Sequence, residues 1–167
     1  MREQLTQKDV ERIEAEIEHR KLVVRKEAIE AVKEARAHGD LSENFEYHAA
    51  KKDKNKNESR IRYLERMLRT AEIISEDSAA DEVGLNNTVT LYFEEDDECE
   101  EFRLVTSIRG NSLKNLISIE SPLGKAVYGK KLGDRVEVQL ENGAGYFVEI
   151  REIKNTVDDG SDTIRSY

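Results

Sequence analysis

Residues 35–52 read ARAHGDLSENFEYHAAKK and stand between two runs of apolar residues with helical spacing. In the run before this block apolar residues recur three, four or seven positions apart, as on one face of a helix, at Val10, Ile13, Ile17, Val24, Ala28, Ala31 and Ala35. The run after it contains Ala50, Ile61, Leu64, Leu68, Ala71 and Ile74. Only Gly39 to about Ser42 separates the two runs, so the pattern predicts two long helices folded back on each other as an antiparallel pair.

The second half of the chain changes period, with short runs rich in Val, Ile, Thr and aromatic residues that predict strands. These runs cover 88–93, 102–107, 116–120, 135–140 and 146–153. Ser121-Pro122 predicts the start of a short helix, because Ser is a common N-cap and Pro suits the first helical turn. The acidic run Glu94–Glu101 predicts a solvated loop between the first two strands.

The predicted fold class is α+β, with an N-terminal antiparallel coiled-coil helical hairpin over residues 1–75. A small domain of curved antiparallel sheet with one short helix follows over residues 84–154. Residues 155–167 read NTVDDGSDTIRSY, a polar tail that we expect to be mobile.

Charge divides the chain into two different halves. The net charge is −9 over 167 residues, but residues 21–72 carry +3 and residues 73–167 carry −10. An acidic chain is a poor binder of free nucleic acid, so we expect weak or no binding to naked DNA or RNA and a protein partner for the second half. No apolar stretch reaches the roughly 20 residues of a membrane span, so we expect no membrane partner and a cytoplasmic location.

Two carboxylates, Asp40 and Glu43, stand at the turn between the predicted helices. They offer hard oxygen ligands for Mg²⁺ or a base for a water molecule. A capping box is the alternative, with Asp40 as N-cap and Glu43 at the third helical position. Capping alone leaves Asn44, Tyr47 and His48, which follow at once, without an explanation.

The segment GDLSENFEYHAAK at 39–51 resembles the tip signature of the GreA/GreB family of transcript cleavage factors, G-D-L-x-E-N-x-E-Y-x-A-A. The segment NLISIESPLGKAVYGKKLGDRVEV at 115–138 resembles the second signature of that family, in its FKBP-like C-terminal domain. The resemblance spans nearly the whole chain, with Phe45 as a departure where a small residue is more usual.

The resemblance implies a bacterial transcription elongation factor that binds the core RNA polymerase of a backtracked elongation complex. Such a factor enters the secondary channel and stimulates the polymerase's own cleavage of the extruded 3′ end of the nascent RNA. It is not an enzyme and holds no cofactor by itself, because the Mg²⁺ is shared with the polymerase active site only in the complex.

The resemblance also implies residue roles. Asp40 would help to hold Mg²⁺ and Glu43 would orient or deprotonate the attacking water, with support from Ser42, Asn44 and Tyr47. Arg36 and Lys51 would meet the RNA, with solvated helix charge as the alternative. The polymerase-docking segment would be Ser121, Pro122, Leu123 and Gly124, which also form the predicted helix start.

Three questions stay open from the sequence. Asn44 and Tyr47 either brace the tip or touch RNA, and His48 is interpreted as structural because it lacks ligand partners at suitable spacing. A Gre-like paralogue that tunes or inhibits polymerase without cleavage is the second functional hypothesis. A folding helper or prolyl isomerase is the third, and it rests on the FKBP-like resemblance alone.

Overall fold

The computed structural model describes residues 2–39 and 44–166. The chain forms two compact units. The first contains residues 9–72, and the second contains residues 4–8 together with those from Ile73 onward. Two-residue strands, β1 (Gln4–Leu5) and β2 (Glu72–Ile73), stand before and after the helices in the sequence.

The first unit confirms the predicted antiparallel helix pair. Its first arm runs through helix α1 (Gln7–His19), a π-helical turn (Arg20–Val24) and helix α2 (Arg25–Arg36). Its second arm is helix α3 (Phe45–Thr70). Arg20 of the first arm is hydrogen-bonded to Asn57 of the second, and the later residue Ala35 is hydrogen-bonded to the earlier residue Asn44. The two arms therefore run in opposite directions.

Aliphatic side chains on one face of each arm pack between the helices, with Ile13 and Leu64 fully buried and Ile61 and Met67 nearly so. Toward the turn, Val32 and Ala35 continue this seam. The prediction that Ala31 lies on the seam is wrong, since Ala31 is exposed. Val32 takes this position on the seam instead, three residues before Ala35.

A polar layer interrupts the apolar seam at Asn57, which is 4% exposed. Its side chain accepts a hydrogen bond from Arg20 Nη1 at 3.0 Å and donates one to the Arg20 carbonyl oxygen at 3.3 Å. Glu16 accepts from Arg20 Nε at 2.7 Å and from Arg60 Nε at 3.0 Å. The layer therefore joins both arms beside the π-helical turn, and its bonds fix the register of the pair.

The second unit confirms the predicted curved sheet, which has five strands in the order β5-β4-β3-β7-β6. The strands are β3 (Thr88–Phe93), β4 (Glu98–Val105), β5 (Leu116–Ser118), β6 (Arg135–Gln139) and β7 (Gly145–Lys154). Neighbouring strands are antiparallel except β4 and β5, which pair in parallel. The chain makes this parallel return through 3-10 turns at Ser107–Arg109 and Ser112–Lys114.

Half of the acidic run predicted as a loop belongs to a strand. Glu98–Glu101 continues β4 in register with β3, with Glu98 opposite Phe93. Only residues 94–97 form the turn, where Asp97 has a φ of 50° and accepts a hydrogen bond from Tyr92 Oη at 2.6 Å. The cross-strand backbone bonds outweigh the low strand preference of Glu, since the Glu side chains of this segment keep their charges in solvent.

The core of the second unit lies against one face of the sheet, where Val89, Leu91, Leu104, Val148 and Ile150 are fully buried. Helix α4 (Pro122–Val127) contributes Val127 to this core. No helix among residues 2–39 and 44–166 is long and apolar enough to span a membrane.

The tail packs against the second unit, so the expectation of a mobile tail is wrong. Asp158 is 1% exposed, and the Asp162 carboxylate pairs with Arg103 and Arg109. A polar composition favours mobility only when the polar groups lack partners in the body of the domain. Here the buried Arg109 and the partly buried Arg103 supply those partners.

Candidate catalytic tip and docking segment

The connection between α2 and α3 consists of residues 37–44. Asp40, Ser42 and Glu43 lie outside the described residues, so their roles as tip acids and supporting residue stay predictions. The residues on both sides of this gap are described.

Asn44 bonds to both arms of the hairpin. Its backbone is extended (φ −86°, ψ 96°), and its side-chain oxygen accepts a hydrogen bond from the Tyr47 backbone N–H at 3.0 Å. Its side-chain nitrogen donates to the carbonyl oxygen of Ala35 at 2.6 Å. Asn44 is therefore the N-cap of α3 and also a bond across to the last turn of α2.

The described residues show what caps helix α3. The helix begins at Phe45 with Asn44 as its N-cap, and the predicted capping box of Asp40 and Glu43 lies outside the described residues. The hydrogen bonds of Asn44 favour bracing over RNA contact for this residue, since both ends of its side-chain amide are bonded within the hairpin. The sequence contains a signal for this cap. Asn44 stands three positions before Tyr47, whose backbone N–H donates to it, and this is the usual N-cap spacing.

Arg36, Tyr47 and Lys51 come together beside the connection. The Arg36 guanidinium carbon lies 5.6 Å from the centre of the Tyr47 ring, within the range of a cation–π contact. A hydrogen bond with Arg36 lowers the pKa of the Tyr47 phenol below its ordinary value, and the nearby charge of Lys51 lowers it further. The cluster thus presents two cations next to an aromatic ring whose hydroxyl bonds one of them.

Both histidines near the connection have partners within the hairpin. His38 Nδ1 lies 2.9 Å from Glu46 Oε2, a contact between the end of the first arm and the first turn of α3. The ring of His48 meets that of Tyr47 edge-on at 5.4 Å. Phe45, by contrast, is 88% exposed. These contacts agree with the structural interpretation of His48.

The docking segment begins α4 as the sequence predicts. Ser121 is the N-cap, its hydroxyl accepts from Gly124 N–H at 3.1 Å, and Pro122 holds the first helical position. A Cβ atom at Gly124 would lie 1.9 Å from the Ser118 carbonyl oxygen, so only glycine fits there. Leu123 packs against the core, whereas Pro122 is exposed. Of the four residues, Pro122 has the most surface to offer a partner.

Family models match nearly the whole chain. The N-terminal domain of the GreA/GreB transcription elongation factors matches residues 3–73, and the C-terminal domain of that family matches residues 76–155. The tail from Thr156 lies beyond the second match.

Individual relatives agree with the family models. Transcription elongation factor GreA of Macrococcus caseolyticus is 44% identical over 149 residues, which cover 89% of this chain and 94% of that protein. Transcription elongation factor GreA of Staphylococcus saprophyticus is 44% identical over 150 residues, covering 90% and 95%. The crystal structure of GreA factor homolog 1 (Gfh1) of Thermus thermophilus is 28% identical, covers 92% of this chain and 99% of that chain, and has a TM-score of 0.43. With two family models in order and relatives of this identity over most of its length, the chain belongs to the GreA/GreB family of transcription elongation factors.

Proposed function

We propose that this elongation factor binds backtracked RNA polymerase through the secondary channel and stimulates the polymerase's own cleavage of the extruded RNA 3′ end. The observation that carries the proposal is the pair of hydrogen bonds made by the Asn44 side chain. It accepts one from the Tyr47 N–H and donates the other to the Ala35 carbonyl oxygen. It ties the residue after Glu43 to the opposite arm. A catalytic group must be held close to its productive position, and Asn44 is held in this way directly after Glu43 in the sequence.

In this proposal Asp40 and Glu43 have different tasks. Two carboxylates supply only part of the octahedral oxygen shell of Mg²⁺, so they fit an ion whose remaining ligands come from the polymerase and the RNA. When bound, such an ion activates water and stabilises charge on the phosphate. Asp40 helps to hold the ion, and Glu43 accepts the proton of the attacking water at its carboxylate.

Arg36 and Lys51 supply positive charge to the phosphates of the extruded RNA. Both lie beside Tyr47, so an RNA strand that reaches the connection meets two cations together with an aromatic ring. Stacking on an aromatic ring and phosphate contact are the two usual components of single-strand binding. The contribution of Tyr47 in this proposal is to position Arg36 through their hydrogen bond.

The second unit carries the affinity for polymerase. The net charge of −10 over residues 73–167 disfavours a nucleic-acid surface and favours a protein surface. The exposed Pro122, set on a helix start that Ser121 and Gly124 hold rigid, supports the assignment of the docking segment. The factor acts on an active site that belongs to polymerase, so it has no turnover alone.

The test is an RNA-shortening assay on stalled elongation complexes, with the unaltered protein, Asp40→Asn and Glu43→Gln. The unaltered protein should shorten the RNA, and each variant should lower the stimulated rate by an order of magnitude or more while still competing for polymerase. Competition for polymerase without any shortening by the unaltered protein would replace this proposal with the non-cleaving paralogue. Near-normal cleavage by both variants would remove Asp40 and Glu43 from the mechanism.

A further inference from the structure

The tail follows a defined path across the second unit. Thr156 Oγ1 donates to the Asn86 carbonyl oxygen at 2.6 Å, and Lys8 Nζ donates to the Asp158 carbonyl oxygen at 2.6 Å. Near the end of the chain, Arg165 N–H donates to the Ile108 carbonyl oxygen at 2.8 Å. The tail is thus part of the second unit, and each of these contacts is polar.

Two arginines of the second unit bind one tail carboxylate. Arg103 Nη1 and Nη2 donate to the two oxygens of Asp162 at 2.9 Å and 2.6 Å, a bidentate pair. Arg109 Nη1 donates to Asp162 Oδ2 at 2.9 Å and to Asn86 Oδ1 at 2.7 Å. A planar fork of this kind is how arginine recognises carboxylates in partners as well as within a chain.

Arg109 is held in a fully desolvated position. It is 1% exposed, and a second tail carboxylate, that of Asp158, lies 3.8 Å from Arg109 Nη1. Asn86, which orients Arg109, has a φ of 68° and is 2% exposed. A buried guanidinium with its own orienting amide is a built site for negative charge, because an uncompensated buried cation is costly.

A cavity of about 250 Å³ adjoins the carboxylate of Asp162. Three cationic side chains line it, those of Arg103, Arg109 and Lys114. In a half of the chain whose net charge is −10, this is a local concentration of positive charge. The pKa of Asp162 lies below its ordinary value, chiefly through the hydrogen bond from Arg103 and against the effect of burial, so the tail ligand stays ionised at neutral pH.

We propose that Arg103 and Arg109 form a carboxylate-binding site for an acidic peptide segment, and that the tail of this same chain is its resident, displaceable ligand. The site goes beyond the proposed function, since it serves neither the tip nor the docking segment. Ion pairs and hydrogen bonds hold the tail while the Val157 side chain is 74% exposed, so an acidic segment of a partner protein can offer Arg103 and Arg109 the same contacts when it outcompetes the tethered tail. Exchange of the tail for that segment would free the end of the chain.

The test uses the full chain with Asp162→Asn, and Asp159→Asn as the matched control. Asp159 is exposed, and its carboxylate accepts from the backbone and hydroxyl of Ser161 within the tail. A fluorescent peptide with the sequence of residues 156–167 is the probe. The Asp162→Asn protein should bind it at least about tenfold more tightly than the unaltered protein, whose tethered tail occupies the site at high effective concentration. The Asp159→Asn protein should bind it no better than the unaltered protein.

Two further binding measurements test which chemical group of the ligand the site recognises. A peptide with Asn in place of Asp162 should bind at least about tenfold more weakly, because the bidentate pair needs both carboxylate oxygens. Millimolar inorganic phosphate should leave most of the peptide bound. Complete displacement by phosphate would mean a simple anion site and overturn the assignment of a peptide ligand, and equal peptide binding by all three proteins would overturn the site itself.

Hydrogen exchange keeps the proposal testable if Asp162→Asn does not fold. Exchange at the Arg165 amide, which donates to the Ile108 carbonyl oxygen, should accelerate several-fold in Arg103→Gln, because this change removes the bidentate pair with Asp162. The buried amides of β3 should not change. An Arg165 amide whose exchange is the same in Arg103→Gln and the unaltered protein would show that this pair does not hold the tail, and the proposal would fail.

Discussion

The side-chain nitrogen of Asn44 lies 2.6 Å from the carbonyl oxygen of Ala35, so the residue that begins the second arm is bonded to the last turn of the first. The same side chain accepts from Tyr47 N–H. One amide group therefore satisfies an orphan donor of α3 and donates to a carbonyl oxygen of α2 that also accepts from the His38 N–H. Asn44 therefore has a structural role that consists of two separate hydrogen bonds.

Those two bonds can be separated by substitution. Asn44→Asp keeps the oxygen that caps α3 but replaces the donor to Ala35, whereas Asn44→Ala removes both. We expect Asn44→Ala to cost about 1 kcal/mol of cap stability and Asn44→Asp to keep most of it. Hydrogen exchange at the Tyr47 amide measures the cap. Phe45→Ala, at an exposed neighbour, is the control and should leave that exchange rate unchanged.

The Tyr47 phenol reports on its contact with Arg36. Because Arg36 and Lys51 lower the pKa of Tyr47, Arg36→Gln should raise it toward the ordinary value. Titration of the Tyr47 ring by NMR measures the shift. Arg25→Gln is the control, since Arg25 pairs with Glu58 and should leave the Tyr47 titration unchanged. Equal titration in all three proteins would contradict the contact.

The polar layer between the arms should make the hairpin sensitive to acid. Burial alone would raise the pKa of Glu16, but hydrogen bonds and charge from Arg60 and Arg20 outweigh it, and the pKa lies below its ordinary value of 4.5. A carboxyl group with a lowered folded pKa stabilises the fold above its unfolded pKa and loses that effect as the pH falls through the folded pKa.

Glu16→Gln should therefore lower the free energy of unfolding by about 1–2 kcal/mol at pH 7. The difference from the unaltered protein should shrink below a pH of about 4.5. Chemical unfolding over a pH series measures both. Glu14→Gln, at an exposed position of the same helix, should show neither effect. A difference that stays constant with pH would exclude the ion pairs as its source.

Mg²⁺ should distinguish the two proposed tip acids. Extra Mg²⁺ should partly restore cleavage with Asp40→Asn, because a weakened ligand set refills by mass action. It should help Glu43→Gln less, since that change removes a base rather than a ligand. The measurement is the stimulated cleavage rate as a function of Mg²⁺ concentration. Equal rescue of both variants would contradict the division of roles.

Docking can be tested without disturbing the core. Pro122→Ala changes an exposed side chain at the first turn of α4, so we expect weaker competition for polymerase with near-normal cleavage at saturating factor. Leu123→Ala is a poorer test because Leu123 packs against the core. A lower maximal rate with unchanged affinity for Pro122→Ala would contradict the docking assignment.

The sequence was sufficient for those elements whose local signals agree with their tertiary contacts. The strand at Thr88–Phe93 has the predicted bounds, and Ser121-Pro122 begins the short helix as expected. Ile61 and Leu64 lie on the helix seam as their spacing indicates. In each case periodicity or capping chemistry and burial favour the same structure.

The differences arise where a distant partner decides the structure. Glu98–Glu101 forms a strand because β3 offers paired backbone groups, and no local pattern contains that information. The tail is ordered by Arg103 and Arg109, which precede Asp162 by more than fifty positions. Arg109 did carry one signal, since it is the only charged residue between Leu104 and Leu113, and a lone charge in such a stretch indicates a buried partner.

The π-helical turn at Arg20–Val24 has a consequence for exchanging parts between factors of this kind. Each residue advances an α-helix by about 100° around its axis, so the extra residue in the wide turn sets the direction in which everything beyond it faces. A distal segment taken from a chain with an uninterrupted helix and spliced in at Arg25 would present its side chains on the wrong side of the hairpin. A chimeric factor therefore has to take the π-helical turn and the helix that follows it from the same parent chain.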